Sequence, residues 1–381
     1  MIACLWARAA SRKQRAGRES NREQLTAAGN GSAGPMSKKT LARPARGARG
    51  GTRRRHLTVL FTCVGRRVEL IQAFRGSAER LDIDLTVVGA DKSELAPALH
   101  LCDRRAVTPT VLDPGYVSAL VEVVRSEGAD LLIPLIDHEL PVLSQARQRF
   151  EESGCLALIS DPGVVSTCRD KIATYRHLKK HGIDTPRTWL LEAFAKRKSR
   201  SFPCFMKPRR GSASFGNYVI HDDEELHTLG RRVPEPIVQE LVAGFEHTLD
   251  VYTGLDGIPR CVVPRRRLEV RWGEVSKGQV AKDPRLMEIG RRVAQSLPGC
   301  RGVITIQCIM SARGRIRVIE INPRFGGGAP LSILAGADLP GWIMRERLGE
   351  KPRIRMDGYT DGIRMLRFDQ SVFLDRRGEL L

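Results

Sequence analysis

Apolar runs and amphipathic stretches alternate through much of the first half of this chain, and no other feature restricts its fold as strongly. The alternation begins at His56, and its successive segments read HLTVLFTCVG, VELIQAFRGSAERL, LTVVGAD, YVSALVEVVRSEG, ADLLIPLID, LPVLSQARQRFEESG and CLALIS. Short continuous apolar runs indicate buried strands, and the longer amphipathic stretches indicate helices. Strands that alternate with helices predict a parallel sheet that is covered on both faces.

The turn after the first predicted strand argues against a dinucleotide-binding domain. It contains the single glycine Gly65, followed by Arg66 and Arg67. A turn that binds pyrophosphate needs several glycines, because the backbone has to approach the ligand closely. Asp91 ends the second predicted strand, where an acid can hold a ribose, but without a glycine-rich loop we favour a Rossmann-like unit with another role.

The pattern changes after the helix CRDKIATYRHLKKH, which starts at Cys168. Short strands in antiparallel arrangement are then predicted for TPRTWL, FPCFMKPRRGSASFGNYVI, IVQELVAGFEHTLDVYTG, IPRCVVPRRRLEVRWG, VITIQCIM and GRIRVIEINPR. A helix, DPRLMEIGRRVAQSL, precedes the last two strands, and IRMLRF predicts one added strand near the end of the sequence. The chain therefore combines an α/β unit with a following α+β unit.

The positive charge is concentrated at the beginning of the sequence. The first 56 residues contain 14 Lys or Arg and two acidic residues, so the remainder carries only +8 of the total +20. This segment has few aliphatic residues, and we expect residues 1–55 to be disordered. It could be a nucleic-acid or membrane arm, an organellar transit peptide, or an over-long start before Met36. We favour an over-long start or a solvated tail, because no aromatic residue accompanies the charges after Trp6.

Cysteine use and hydropathy indicate a protein of the cytoplasm. The nine cysteines contain no CxxC pair, which argues against a disulfide framework or a structural zinc site and for a reducing compartment. No run approaches the roughly 18 apolar residues that a membrane span requires. Nucleic acid is not expected as a partner of the folded part.

The stretch VIEINPRFGGGAP ends the last long strand with polar groups on one face. Glu320 and Asn322 share a face because side chains alternate along a strand. Carboxylate and amide oxygens suit magnesium, and Arg324 adds a cation that can contact phosphate. A strand end with a solvated acid is the alternative, and the glycines that follow would then be an ordinary turn.

A second group of residues has the chemistry for a nucleoside triphosphate. Lys207 precedes the small-residue loop from Gly211 to Gly216, whose backbone N–H groups can surround phosphates. Residues 240–242 can offer backbone groups to an adenine edge, and Glu246 can accept from ribose hydroxyls. Gln307 lies on the strand expected to pair with that of Glu320, so its amide can complete a magnesium site. Each of these features alone also fits an exposed hairpin or a buried, hydrogen-bonded glutamine.

The order of these pieces resembles the ATP-grasp superfamily, most closely the branch around the large subunit of carbamoyl phosphate synthetase. The pieces are an Asp-Lys helix start, a lysine before a Gly/Ser loop, Gln-Glu-x-Val-x-Gly-x-Glu, a strand glutamine and Glu-x-Asn-x-Arg. The resemblance covers about residues 57 to 345 and implies a Rossmann-like domain at 56–165 before a two-lobed ATP-grasp domain with antiparallel sheets at 166–365. Within the latter, a lid subdomain spans about 186–242, and 366–381 form a tail.

The resemblance also implies roles for the matching positions. ATP and Mg²⁺, or Mn²⁺ in its place, are the implied cofactors. The implied residues are Lys171 and Lys207 at the phosphates, Gly211, Ser212, Ser214 and Gly216 in a mobile lid, Gln239, Glu240, Leu241 and Val242 at the adenine hinge, Glu246 at the ribose, Gln307, Glu320 and Asn322 at the metal, and Arg324 with Lys207 in catalysis. Many relatives have Asp or Glu where Gln307 stands, so we expect weak metal binding without nucleotide.

The implied activity is that of an ADP-forming ligase, in which ATP converts a carboxylate into an acyl phosphate that an amine attacks. A cation has to hold the carboxylate, and the basic stretch VPRRRLEVRWGEVSKG offers Arg265, Arg267 and Lys277, although a solvated basic strand is the alternative. Gly326 and Gly327 would let the acceptor approach. A partial carbamoyl-phosphate-type reaction on bicarbonate and a non-catalytic ATP-binding module remain alternatives, and a homodimer is compatible with the sequence.

Overall fold

A computed structural model describes residues 55–211, 214–271 and 273–381. The predicted disordered segment lies outside these residues except for Arg55, and so does Ser212 of the predicted lid. The described part clusters as one compact unit from Arg55 to Leu381.

The N-terminal sheet is parallel and has the strand order β3-β2-β1-β4-β5. Its strands are β1 (Arg55–Thr62), β2 (Ile83–Asp91), β3 (Arg104–Val107), β4 (Leu131–Pro134) and β5 (Leu156–Ala157). The direction of winding reverses between β1 and β4. In sheets of this type a ligand crevice opens at such a switch point, beyond the carboxyl ends of the strands.

Helices cover both faces of this sheet. They are α1 (Val68–Arg80), a 3₁₀ turn (Pro97–Leu101), α2 (Tyr116–Glu127), α3 (Leu140–Gln145) and α4 (Arg147–Glu151). Phe61 packs edge to face on Phe74 of α1 with ring centroids 4.9 Å apart, whereas Leu60 packs on the opposite face against Leu120 of α2. The alternation of buried side chains along β1 therefore supplies two separate cores.

A smaller antiparallel sheet has the order β6-β9-β7-β8. The elements of this region are α5 (Pro162–Arg169), α6 (Lys171–Lys180), β6 (Thr188–Leu190), α7 (Leu191–Ala195), β7 (Cys204–Pro208), β8 (Tyr218–Ile220), α8 (Asp223–Gly230) and β9 (Pro236–Glu240). Phe194, Met206 and Val238 are buried together in its core. The predicted hairpin around Lys207 is the β7–β8 pair.

The large antiparallel sheet has the order β14-β13-β10-β11-β12-β15. Its elements are β10 (Phe245–Tyr252), β11 (Cys261–Arg271), β12 (Glu274–Val280), α9 (Pro284–Gln295), β13 (Val303–Met310), β14 (Ile316–Asn322), α10 (Ala329–Leu334), α11 (Leu339–Arg347) and β15 (Arg364–Leu366). One face packs on α9. On the other face, Tyr252 and Val263 share a continuous core with Phe74 and Phe325, so this sheet adjoins the N-terminal domain.

The predicted fold class is confirmed: a parallel Rossmann-like sheet precedes two lobes with antiparallel sheets. The segment IVQELVAGFEHTLDVYTG differs in detail, because β9 lies in the small sheet and β10 in the large one, so residues 241–244 cross between the lobes. The predicted helix LPVLSQARQRFEESG is interrupted at Ala146, where ψ is 5°. No helix in the described ranges is long and apolar enough to cross a bilayer.

Candidate active site

Oxygen-bearing side chains meet at the end of strands β13 and β14. Gln307 is paired with Glu320, and Thr305 with Asn322. Ile319 is an extra residue between these pairs and the rest of β14, which makes a β-bulge next to the site. Across the described residues no three His, Cys, Asp or Glu side chains cluster to hold a metal. A cation here would therefore use amide oxygens beside one carboxylate, a donor set that fits Mg²⁺ when phosphate oxygens and water complete its shell.

Lys207 brings a buried cation from the small sheet toward these oxygens. Its side chain lies at the end of β7 and is nearly inaccessible to solvent. Burial lowers the pKa of Lys207 to about 8, while Glu320 and Glu246 raise it and Lys171 lowers it further. An enclosed ammonium whose charge is so weakly compensated is well suited to bind phosphate oxygens.

The start of α6 and the glycine loop lie next to this lysine. Asp170 caps the helix by accepting from the backbone N–H groups of Ile172 and Ala173. Lys171 donates through Nζ to the Gly211 carbonyl oxygen over 3.1 Å, and it lines a narrow cleft with Glu320 and Asn322.

The described residues of the loop turn tightly over the end of β7. Ser214 and Gly216 both have positive φ, at 58° and 73°. A Cβ at Gly211 or at Gly216 would approach the Pro208 ring within 3.2 or 3.1 Å. A larger residue at Gly211 or Gly216 would therefore require Pro208 to shift by a few tenths of an ångström, and the positive φ of Gly216 also favours glycine there.

The predicted adenine hinge lines a cavity of about 250 Å³. The cavity is lined by Glu240, Leu241, Val242, Ala243, Ser311, Arg315 and Arg317. Glu240 accepts from Arg317 over 2.8 Å. Burial raises the pKa of Glu240, but the hydrogen bonds from Arg317 and from the Arg187 backbone, together with the charges of both arginines, outweigh it, so the net shift is downward. Gln239 does not line the cavity, because its side chain is buried and donates to Thr188.

Glu246 and Arg267 form an ion pair of 2.6 Å. Burial raises the pKa of Glu246, an effect that Arg267 opposes and Glu320 reinforces. Arg267 also donates to the Gly273 carbonyl oxygen, and its buried Nε has no hydrogen-bond partner within the described part of the chain. The predicted ribose and substrate residues are thus in direct contact with each other.

Arg324 is held by an acid that the sequence reasoning missed. Asp137, in the loop after β4, accepts from Arg324 Nη2, and both side chains are about nine-tenths buried. Burial raises the pKa of Asp137, but the charge and hydrogen bond of Arg324, together with the charges of Arg169 and His138, lower it by more. Nε of Arg324 has no partner among the residues described. Asp137, in the loop after β4, therefore orients Arg324, which follows β14, and leaves the Nε donor of Arg324 free within the described residues.

Two of the predicted substrate residues, Arg265 and Lys277, are paired with acidic side chains of the protein itself. Arg265 is completely buried and makes two hydrogen bonds, of 2.7 and 2.9 Å, to Asp250, which also accepts from Ser332. It supports the packing between β10, β11 and α10, because alternation along β11 points it inward. Lys277 pairs with Glu269 at 2.7 Å, and both side chains are more than a third exposed.

Three further residues, Arg67, Glu274 and Arg367, surround Gly327 and were not predicted as site residues. The position of Arg67 in the turn between β1 and α1, at the strand-order reversal, was the signal that could have identified it. The positions of Glu274 and Arg367 carried no comparable signal.

Comparison with known proteins agrees with this geometry. Residues 59–158 match a PylC-like N-terminal domain, and residues 168–328 match an ATP-grasp domain. A D-alanine–D-alanine ligase of Thermotoga petrophila is 31% identical over 41% of this chain and 56% of its own length, so the chain spans little more than half of that relative. A 3-methyl-D-ornithine–L-lysine ligase of Methanosarcina acetivorans is 26% identical over 69% of this chain and 67% of its own length.

The fold is also found among solved structures. N5-carboxyaminoimidazole synthetase from Staphylococcus aureus, complexed with ADP, aligns with a TM-score of 0.64 and 16% identity over 81% of each chain. The lobes, the lysine-bearing hairpin and the β13–β14 site together define an ATP-grasp architecture. The chain contains an ATP-grasp domain preceded by a PylC-like N-terminal domain, which confirms the predicted resemblance to the ATP-grasp superfamily.

Proposed function

We propose that this protein is an ATP- and Mg²⁺-dependent ligase that joins a carboxylate to an amine and releases ADP and phosphate. The observation that carries this proposal is the convergence of Lys207, from the small sheet, with Gln307 and Glu320 of the large sheet. That arrangement has cations for phosphate oxygens and hard oxygens for a divalent ion in one cleft.

Each residue has a defined part in the proposed reaction. Lys171 and Lys207 bind the phosphates, residues 211–216 exclude water, and Arg324 stabilises the transferring phosphoryl group. Gln307, Glu320 and Asn322 would hold Mg²⁺, or Mn²⁺ in its place, and the ion would supply positive charge that neutralises the phosphates. A substrate carboxylate oxygen attacks the γ-phosphorus and ADP leaves. An amine nitrogen then attacks the acyl carbon, phosphate departs, and the ammonium proton passes to solvent.

The nucleotide is proposed to lie between the hinge and the large sheet. Glu240, Leu241 and Val242 would contact the adenine through their backbone, as would Gln239, whose side chain is engaged elsewhere. Glu246 would accept from the ribose. Its ion pair with the buried Arg267 keeps the partly exposed carboxylate oriented for that contact.

The relatives favour amino acids as substrates. The two curated relatives are named as ligases of D-alanine with D-alanine and of 3-methyl-D-ornithine with L-lysine. We therefore propose that the amine, and in the simplest case the carboxylate as well, belongs to an amino acid. Arg267, Gly326 and Gly327 are the proposed substrate contacts, and a cytoplasmic location stays a prediction.

The test is Mg²⁺-dependent ADP release across pools of amino acids, other carboxylates and bicarbonate, with hydroxylamine present to trap an acyl phosphate as a hydroxamate. Glu320→Ala should abolish the signal, and Glu288→Ala, an exposed acid on α9, should retain it. Hydroxamate from an amino-acid pool would support the proposal. Turnover with bicarbonate alone would favour the carbamoyl-phosphate-type reaction, and ATP binding without turnover would favour a non-catalytic module.

A further inference from the structure

Three charged side chains from separate parts of the chain meet over one glycine. Arg67 follows β1 of the N-terminal sheet, Glu274 begins β12, and Arg367 follows β15. A Cβ at Gly327 would come within 2.7 Å of Arg67 Nη1 and 3.1 Å of Glu274 Oε1, and Arg367 donates to the Gly327 carbonyl oxygen. We refer to Arg67, Glu274 and Arg367 as the Gly327 charge cluster.

The ion pairs within this cluster are long. Arg67 Nη2 lies 3.5 Å from Glu274 Oε1, and Arg367 Nη1 lies 3.4 Å from Glu274 Oε2. A well-formed contact between a guanidinium and a carboxylate is about 2.7–2.9 Å. Arg367 has a better partner in Glu69 at 3.0 Å. Glu274 therefore makes only a long contact with each of the two arginines and does not use up the hydrogen-bonding capacity of either.

Arg67 has unused hydrogen-bonding capacity. Its side chain is 19% exposed and, among the described residues, its only polar contact is the long pair with Glu274. Burial lowers the pKa of Arg67; Glu274 opposes this effect, and the nearby Arg324 and Arg367 add to it. A guanidinium has five N–H donors in a planar fork, so one long contact leaves most of the donors of Arg67 available to a ligand. A second carboxylate, supplied by a ligand, would accept from these donors.

The cluster lies where a ligand is expected to enter. Arg67 and Asp137 stand beyond the carboxyl ends of β1 and β4, where the strand order reverses. Arg324, which Asp137 holds, is close enough to Arg67 for their charges to interact. A substrate group bound by Arg67 would therefore be adjacent to the proposed phosphoryl-transfer site.

We propose that Arg67 binds the carboxylate of the amine substrate, so that the acceptor is an amino acid, not a simple amine. This inference rests on the proposed ligase function. The carboxylate that is activated must lie against Arg324 and the Glu320 site, so the group bound over Gly327 belongs to the other substrate. In an α-amino acid the carboxylate and the amine are attached to the same carbon. Arg67 can therefore bind the carboxylate while Glu274 accepts a hydrogen bond from the amine.

The experiment compares matched acceptors in wild type, Arg67→Gln, Arg67→Lys and Arg66→Gln, the last altering the exposed neighbouring arginine. The acceptors are glycine, D-alanine and L-lysine, each against its carboxamide. We expect wild type to favour amino acid over amide by about 30-fold or more in kcat/KM, and Arg67→Gln to bring this preference within about threefold through KM. Arg67→Lys should restore part of the preference, and Arg66→Gln should behave as wild type.

A second measurement separates this inference from the proposed function. Hydroxamate formation with donor, MgATP and hydroxylamine needs no amino-acid acceptor, so Arg67→Gln should still form hydroxamate. Loss of hydroxamate in a folded Arg67→Gln protein, judged by its thermal midpoint, would mean that Arg67 serves the donor and would overturn the inference. An unchanged amino-acid preference would overturn it as well. If wild type forms no hydroxamate from any donor, the ligase proposal itself fails and the inference fails with it.

Discussion

Gln307 and Glu320 are directly opposite each other on the paired strands β13 and β14. Because Ile319 is bulged out of register, this pair and Asn322 stand together at the end of the sheet. Glu320 is the only carboxylate of the three. The negative charge available to a cation therefore depends on one residue, and tight metal binding requires the nucleotide phosphates as well.

Replacing that carboxylate should weaken metal binding and lower activity. Glu320→Gln keeps the size of the side chain and loses its charge, so we expect ADP release to fall by about 100-fold or more and the Mg²⁺ requirement to rise. The measurement is initial rate against Mg²⁺ concentration. Glu288→Gln is the control, and a Glu320→Gln rate within threefold of wild type would contradict the assignment.

The buried lysine predicts a pH dependence of nucleotide binding. The pKa of Lys207 is lowered by burial to about 8, and the phosphates bind its protonated form. Nucleotide affinity should therefore decrease as pH rises above about 8, by up to tenfold per unit. Calorimetry at about pH 8–9, in buffers of different ionisation enthalpy, should detect proton uptake when the nucleotide binds.

An arginine at the same position provides the comparison. Lys207→Arg stays protonated throughout this range, so its affinity, although lower overall, should not vary with pH. A parallel decline in both proteins would show that another group titrates.

The same lysine should limit the stability of the nucleotide-free protein. Its pKa is about 8 in the folded state and 10.5 when unperturbed, so the unfolded chain binds more protons between these values. Wild-type stability should rise with pH across this window, and the full cost of burying the charge is present below it. Lys207→Met should accordingly raise the free energy of unfolding near neutral pH by up to about 3 kcal/mol.

Urea denaturation at pH values from about 7 to 10 measures this effect. The advantage of Lys207→Met should shrink as pH approaches the upper end of that range, while ATP binding is lost at every pH. Lys198→Met, an exposed lysine, should change stability little. A destabilised Lys207→Met protein would mean that the lysine is better compensated than its surroundings indicate.

Arg265 should contribute to stability. Removing its side chain leaves Asp250 buried without its ionic partner, and we expect Arg265→Met to destabilise the protein by about 3–5 kcal/mol. The double variant Arg265→Met with Asp250→Leu should recover most of this loss, because both buried charges are then removed. Arg266→Met is the control, since Arg266 stacks on Phe245 in a partly accessible position. If Arg265→Met instead changed substrate KM without changing stability, the result would favour the predicted role of Arg265 in holding the substrate carboxylate.

Several features of this protein follow from local sequence patterns. The alternation of side chains along a strand predicted that Glu320 and Asn322 share a face. The alternation of strands and helices predicted the parallel sheet. The placement of Lys207 on the first arm of a hairpin also needed only local information. These properties depend on side-chain alternation and turn residues, which act over a few positions of the chain.

The roles of the arginines depended on the tertiary structure. Arg265 and Arg267 share a face of β11, yet Arg265 is completely buried with two hydrogen bonds to Asp250, whereas Arg267 pairs with the partly exposed Glu246. Among the described residues, Nη1 of Arg265 and Nε of Arg267 both lack a hydrogen-bond partner. Arg67 sits next to Gly327 only because the N-terminal sheet packs on the large sheet. The sequence by itself determined the superfamily and the order of the site residues. Which cations remain available to a ligand was decided by long-range packing, because burial and pairing join residues that are far apart in the chain.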